Sequence, residues 1–152
     1  MIVPRGTIQD NNRKMEKTLE QVENEVLEEF SVFDDWLDKY EYLIELGKNL
    51  DSYPDEAKTD DKLIKGCQSR VWLDYKMEDG IVVFRADSDA IITKGIISLL
   101  IGIYSGRTPK EILDSDFSVV EKIGLKENLS PTRANGLVSM IAKIKETALQ
   151  NC

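Results

Sequence analysis

Apolar residues recur at helical spacing near the start of the chain. Leu19, Val22, Val26 and Phe30 follow one another at three- and four-residue steps among glutamates, which predicts an amphipathic helix with one buried face. A second run begins near Ser31, where Ser31-Val32-Phe33-Asp34 offers a cap and a first-turn acid. It continues through Trp36, Leu37, Tyr40, Leu43, Ile44 and Leu46 to Gly47, a helix stop. Met15 to Gly47 therefore reads as two helices. Residues 51–62 are acidic, contain Pro54 and show no period, so they read as a surface loop. From Arg70 to Met77 the period becomes two: Val71, Leu73, Tyr75 and Met77 alternate with Arg70, Trp72, Asp74 and Lys76. Glu78-Asp79-Gly80 is a turn and Ile81 to Ala86 a β-branched second strand, which together predict an antiparallel hairpin.

Ala90 to Tyr104 is apolar nearly all round, the pattern of a central helix packed on several sides, with Asp87-Ser88-Asp89 at its start and Ser105-Gly106 at its end. Thr108-Pro109-Lys110-Glu111 combines a capping threonine, a first-turn proline and a third-position glutamate, and so starts a short helix. Phe117 to Ile123 predicts another, closed by Gly124. Ser130-Pro131 starts the last helix, whose apolar stripe is Ala134, Leu137, Ile141, Ile144 and Ala148. Strands and helices are segregated along the chain. That order predicts an α+β fold, a small antiparallel β-sheet packed against several α-helices. The face of the sheet carrying Val71, Leu73 and Tyr75, or the one carrying Trp72, is expected to cover the Ala90 to Tyr104 helix.

The length of 152 residues fits one domain, expected over residues 15–152, with residues 1–14 a disordered tail or a remnant of cloning. A formal charge of −8 and the lack of any Lys/Arg run argue against nucleic acid as a partner. The longest apolar stretch, Ile96 to Tyr104, falls short of the roughly 18 residues a membrane crossing needs, and Met1 to Lys14 has no signal-peptide core. The expected setting is cytoplasmic, with no membrane partner. The two cysteines are therefore read as thiols rather than a disulfide. The absence of histidine excludes Cys-His and Ser-His catalysis within the chain, and His-ligated zinc with them. With no CxxC pair, neither a thioredoxin-type site nor an all-cysteine metal site is available. No metal and no cofactor are expected.

Cys67 follows a glycine and precedes a strand, at a loop position suited to presenting a nucleophile. It reads alternatively as a small buried core residue, the commoner fate of a free cysteine. Lys65 and Arg70 flank it; they either lower its pKa as neighbouring cations or are ordinary solvated side chains. Attack of one thiolate on the outer sulfur of a persulfide needs no metal and no second cysteine.

Three segments in order, Gly66-Cys67-Gln68-Ser69-Arg70-Val71-Trp72, Asp87-Ser88-Asp89-Ala90 with Lys94-Gly95, and Leu129-Ser130-Pro131-Thr132-Arg133 with Gly136, resemble the SufE family of sulfur acceptors. The resemblance spans roughly residues 16–148 and implies a SufE/IscU-like fold. It also implies an accessory protein that accepts persulfide sulfur from a SufS-type cysteine desulfurase onto Cys67, stimulates that enzyme and delivers sulfur to an iron–sulfur scaffold complex. No independent turnover is expected. Pyridoxal phosphate belongs to the partner desulfurase. Carried over by position, Cys67 is the persulfide-forming residue, and Gly66, Gln68 and Ser69 shape its loop. Asp87, Ser88 and Asp89 either fix that loop by accepting backbone N–H bonds or form a plain helix cap. Arg133 either holds the loop and eases thiolate formation or is an exposed first-turn arginine paired with an acid. Arg70 stands where the family commonly has glutamine, so no step is assigned to it. Cys152 has no counterpart and is expected to be exposed. An IscU-type scaffold and a non-catalytic module that regulates a desulfurase are the alternative readings, and a homodimer is left open. Because a buried Cys67 would protect sulfur but block its transfer, the loop is expected to move on docking.

Overall fold

The computed structural model describes residues 17–152; the tail expected at residues 1–14 lies outside the described residues. The order is α1 (Leu19–Ser31), α2 (Trp36–Lys48), two short 3-10 turns at Asp55–Ala57 and Asp60–Lys62, β1 (Val71–Glu78), β2 (Ile81–Ser88), α3 (Ile91–Tyr104), α4 (Pro109–Asp114), α5 (Ser118–Lys122), α6 (Leu125–Asn128) and α7 (Pro131–Gln150). This is an α+β fold. Between residues 17 and 152 no helix is long and apolar enough to cross a membrane.

The apolar stripe of α1 is buried as its spacing predicts, at Leu19, Val22, Val26 and Phe30. Its start is fixed by a capping box in which Thr18 and Gln21 satisfy each other's backbone N–H groups. Helix α2 departs from expectation at both ends. Ser31 is the last residue of α1, and Asp35 caps α2 by accepting the Asp38 N–H. Gly47 is inside the helix, which ends at Lys48. The reason lies in packing: a Cβ on Gly47 would stand 2.9 Å from the Gly95 backbone nitrogen, and one on Gly95 would overlap the Leu43 carbonyl. The two glycines let α2 and α3 cross backbone to backbone. Leu37, placed on the apolar face by its spacing, is 67% exposed.

Helix α3 is the centre of the molecule, buried along nearly its whole length and packed against α1, α2, β2 and α7. Its buried Ile96, Ile97, Leu99, Leu100, Ile101 and Ile103 each contribute roughly 1.5–3 kcal/mol by leaving water. The hairpin pairs Val71 with Ser88 through Glu78 with Ile81, and Asp79 and Gly80 take the positive φ angles that a two-residue turn requires. Only the first half of β1 is covered. Val71, Trp72 and Leu73 are all buried, whereas Tyr75 and Met77 are exposed, so neither face alone meets α3 as the alternation suggested. The starts at Thr108 and Ser130 form as predicted, and α6 is an additional short turn after Gly124.

Candidate functional site

Loop 65–70 carries Cys67, and its base is closed. The Ile64 N–H donates to the Val71 carbonyl at 2.9 Å, and Leu63 forms a bridge with Trp72. A second closure converges on the backbone of Arg70. Its N–H donates to Asp89 Oδ1 at 3.0 Å, while its carbonyl accepts from the Ser88 hydroxyl at 2.8 Å and from the Asp89 N–H at 3.2 Å. The alternative of a plain helix cap is overturned. Strand β2 runs on through Ser88, whose backbone pairs with Val71, and α3 is preceded by Ala90 with no side-chain cap. Ser88 and Asp89 are thus tied to the cysteine loop.

Asp87 does something different. Lys58 at 3.1 Å, Lys94 at 3.2 Å and the Ser88 N–H at 2.8 Å surround its carboxylate. Burial works to raise its pKa, yet the Ser88 N–H and the two lysines together hold it below the usual carboxylate range. The Lys58 ammonium it holds lies 5.3 Å from the centre of the Trp72 ring. Asp87 therefore pins residues 51–62 across Trp72 and makes no bond to the loop backbone. Tyr53 reinforces this: it is buried, its hydroxyl bonds Asp74 and the Ala57 carbonyl, and Arg85 stacks on its ring.

Helix α7 is the floor beneath the loop. Gly66 has φ +94°, and the space a Cβ would take there is filled by the Ser139 hydroxyl. One turn earlier, a Cβ on Gly136 would stand 3.4 Å from Cys67 Sγ, and the Cys67 thiol donates to the Gly136 carbonyl at 3.6 Å. Cys67 is half-buried, and that burial pushes its thiol pKa up. Lys65 and Arg70 are exposed and do not offset it, so of the two readings of these cations the solvated one applies. Burial thus favours the neutral thiol over the thiolate at Cys67.

A cavity of about 340 Å³ opens beside Sγ, bordered by Gln68, Ser69, Thr93, Thr132, Arg133 and Met140 among others. Arg133 is exposed in the first turn of α7, its N–H bonded to the Ser130 hydroxyl at 3.3 Å. No acid among the described residues pairs with its guanidinium, which corrects the expectation of an ion pair. Loop, β2 end and α7 start thus bring Gly66, Cys67, Gln68, Ser69, Ser88, Asp89 and Arg133 to one place and leave Asp87 at its edge. Gly136 and Ser139 complete it. Gly136 belongs to the third segment of the resemblance, which gave it no role, and Ser139 carries no sequence signal. Cys152 is exposed at the chain end. A larger cavity of about 490 Å³ along α1, α4 and α5 is lined by Glu20, Glu23, Glu111, Asp114 and Asp116 and holds no cysteine.

Comparison with known proteins bears on the family and the fold. The family model SufE, described as an Fe-S metabolism associated domain, matches residues 24–148. An uncharacterized SufE-like protein of Rhizobium meliloti (strain 1021) is 41% identical over 130 residues, which covers 82% of this chain and 93% of that one. Another, from Rhizobium etli, is 42% identical over 130 residues, covering 82% and 88%. The solution structure of a hypothetical protein from Thermus thermophilus superposes with a TM-score of 0.71 over 86% of this chain and 95% of that one, at 19% identity. That last likeness is one of fold.

Proposed function

The chain belongs to the SufE family, whose domain is associated with Fe-S metabolism, and on that premise we propose that Cys67 accepts sulfur as a persulfide from a SufS-type cysteine desulfurase. The observation that carries this reading is a thiol held at the tip of a closed loop, half-buried against α7, with an open cavity beside its sulfur. In the transfer, the Cys67 thiolate attacks the outer sulfur of the partner's persulfide. A new S–S bond forms, the partner's S–S bond breaks, and the departing thiolate takes up the proton released by Cys67. Pyridoxal phosphate stays with the partner, and the loaded sulfur then passes to an iron–sulfur scaffold complex.

The raised thiol pKa bears on the order of events. At rest burial lowers the thiolate fraction of Cys67, so docking that lifts the loop tip from α7 would raise that fraction and speed the transfer. Removing the desulfurase's sulfur in this way frees it for its next turnover, which is how the protein would stimulate its partner. A reducing cytoplasm suits the cycle, because Cys67 then waits as a thiol. The reading of an iron-holding scaffold has less support: such a site draws on about three thiolate-class ligands, and among the described residues no three His, Cys, Asp or Glu side chains are grouped for a metal. Incubation with a SufS-type desulfurase and L-cysteine, followed by mass spectrometry, tests the proposal. Cys67 is expected to gain one sulfur, about 32 mass units; a Cys67→Ser protein that gains it equally would refute the assignment.

A further inference from the structure

We propose that the cavity beside Cys67 binds a small anionic sulfur donor, a low-molecular-weight hydropersulfide bearing a carboxylate, with the Arg133 guanidinium as its anchor. This rests on reading Cys67 as the persulfide-forming residue and names a second class of substrate for it. The cavity is larger than sulfur storage requires. At about 340 Å³ it has the volume of roughly ten waters at about 30 Å³ each, and it falls within the range of about 300–1,000 Å³ that small-ligand pockets occupy. One added sulfur atom would fill little of it.

Its lining also selects a charge. The chain carries 28 acidic residues against 20 basic ones, yet among the described residues no carboxylate borders this cavity. Gln68, Ser69, Thr93, Ser130, Thr132 and Arg133 do, beside the apolar Ile96 and Met140. Arg133 is unpaired among the described residues, whereas Lys58, Arg85, Lys94 and Arg107 are engaged by carboxylates. A guanidinium is built to hold a carboxylate through two parallel N–H bonds. Here it stands in the first turn of a 20-residue helix, whose positive end adds to the same preference. Because Cys67 Sγ borders the same space, a donor held by its carboxylate presents its sulfurs within the cavity that contains the nucleophile.

The reaction balances without any oxidant or reductant. The Cys67 thiolate attacks the outer sulfur of R–S–S–H, forming the Cys67 S–S bond and breaking that of the donor. The donor leaves as R–S⁻ and takes up the proton that Cys67 released, giving R–SH; the outer sulfur keeps its own hydrogen. Neutral donors undergo the same chemistry but lack the anchor.

The test uses the full chain carrying Cys152→Ser, loaded by the hydropersulfide of N-acetylcysteine or by that of its methyl ester, with the rate of sulfur gain on Cys67 followed by mass spectrometry. The anionic donor is expected to load about tenfold faster at low concentration, the size of one charge-assisted hydrogen bond, and to saturate. Arg133→Gln should bring the ratio of the two rates close to one, and Arg133→Lys should restore part of it. Equal rates for the two donors, or a ratio that survives Arg133→Gln, would overturn the site. A parallel arm with a SufS-type desulfurase and L-cysteine separates the two levels. Loading in that arm without a donor preference defeats this inference alone; no loading of Cys67 in either arm defeats the reading it rests on.

Discussion

Replacing Gly136 by alanine should separate the stability of this fold from its sulfur chemistry. Gly136 lies inside α7, where glycine costs about 0.8–1 kcal/mol relative to alanine. Normally a buried helical glycine means that a Cβ would collide. Here the nearest atoms to an added Cβ are Cys67 Sγ at 3.4 Å and Cys67 Cα and Cβ at 3.9 Å, contacts that need no rearrangement. The methyl group fits against a resting thiol, and the helix gains its propensity. The expected outcome is a melting temperature higher by about 3 °C, the shift that roughly 1 kcal/mol produces in a domain of this size. Persulfide formation should move the other way. The new methyl occupies the side of the cavity next to Sγ, where the second sulfur has to be placed, and misplacement of a reacting atom on the scale of 1 Å costs up to about a hundredfold; a loss of tenfold or more is expected. Thermal unfolding by circular dichroism and mass-spectrometric loading by a desulfurase are measured on the same preparation. A lower melting temperature would refute the packing argument, and an unchanged loading rate would refute the use of the space beside Sγ.

Three further outcomes follow from the same geometry. Gly66→Ala puts a side chain at φ +94° and onto the Ser139 hydroxyl, a strain of about 1–3 kcal/mol; amide exchange over residues 64–70 should accelerate, and unchanged exchange would show that Ser139 does not seat the loop. Burial favours the neutral form of Cys67, so in a Cys152→Ser background the pH midpoint of iodoacetamide alkylation should lie above that of a free cysteine peptide, with slower alkylation at pH 8. A midpoint at or below the peptide's would contradict the resting thiol, and the stability this burial contributes should fade as the pH rises through the folded value. Asp89→Ala removes the acceptor of the Arg70 N–H, worth about 1.5 kcal/mol for a bond to a charged group; exchange of the Arg70 amide should quicken about tenfold, and no change would place the loop's closure elsewhere.

Much of this fold was written in short-range patterns. The stripe of α1, the turn at Asp79-Gly80, the caps at Thr108 and Ser130 and the all-round apolar α3 each depend on neighbours within a few residues, and each formed as read. What the pattern misplaced depends on partners far away in the chain. Gly47 looks like a stop signal, and only its contact with Gly95 explains why the helix runs past it. Leu37 has the right spacing for burial but no element covers it. Tyr53 sits in a polar, aperiodic stretch, yet Asp74 and Arg85 draw it inward against the hairpin. The site shows the same division. Cys67 and its glycine stand out locally, whereas Asp87 and Asp89 are chemically alike and two positions apart, and only the end of β2 decides that one holds Lys58 and the other Arg70.

The distribution of bonds also locates the hinge of the loop. Its base is held by the Ile64 to Val71 bond, and Arg70 by three more; opening there would forfeit on the order of 4 kcal/mol at about 1 kcal/mol per bond. The tip is held far more weakly, by a thiol bond of 3.6 Å to the Gly136 carbonyl and by the seating of Gly66 on Ser139. A thiol is a poor donor, so lifting Cys67 costs less than unfastening Arg70. On the proposed reading, a motion that exposes the sulfur is expected to run between Lys65 and Ser69 while both closures stay shut. A partner needs to supply only the smaller sum to reach the thiol. Once the tip is out of its half-buried seat, the burial that raised the thiol pKa is gone as well, so the same displacement that exposes Cys67 also makes it easier to ionise. Protection and activation are then two positions of one short segment.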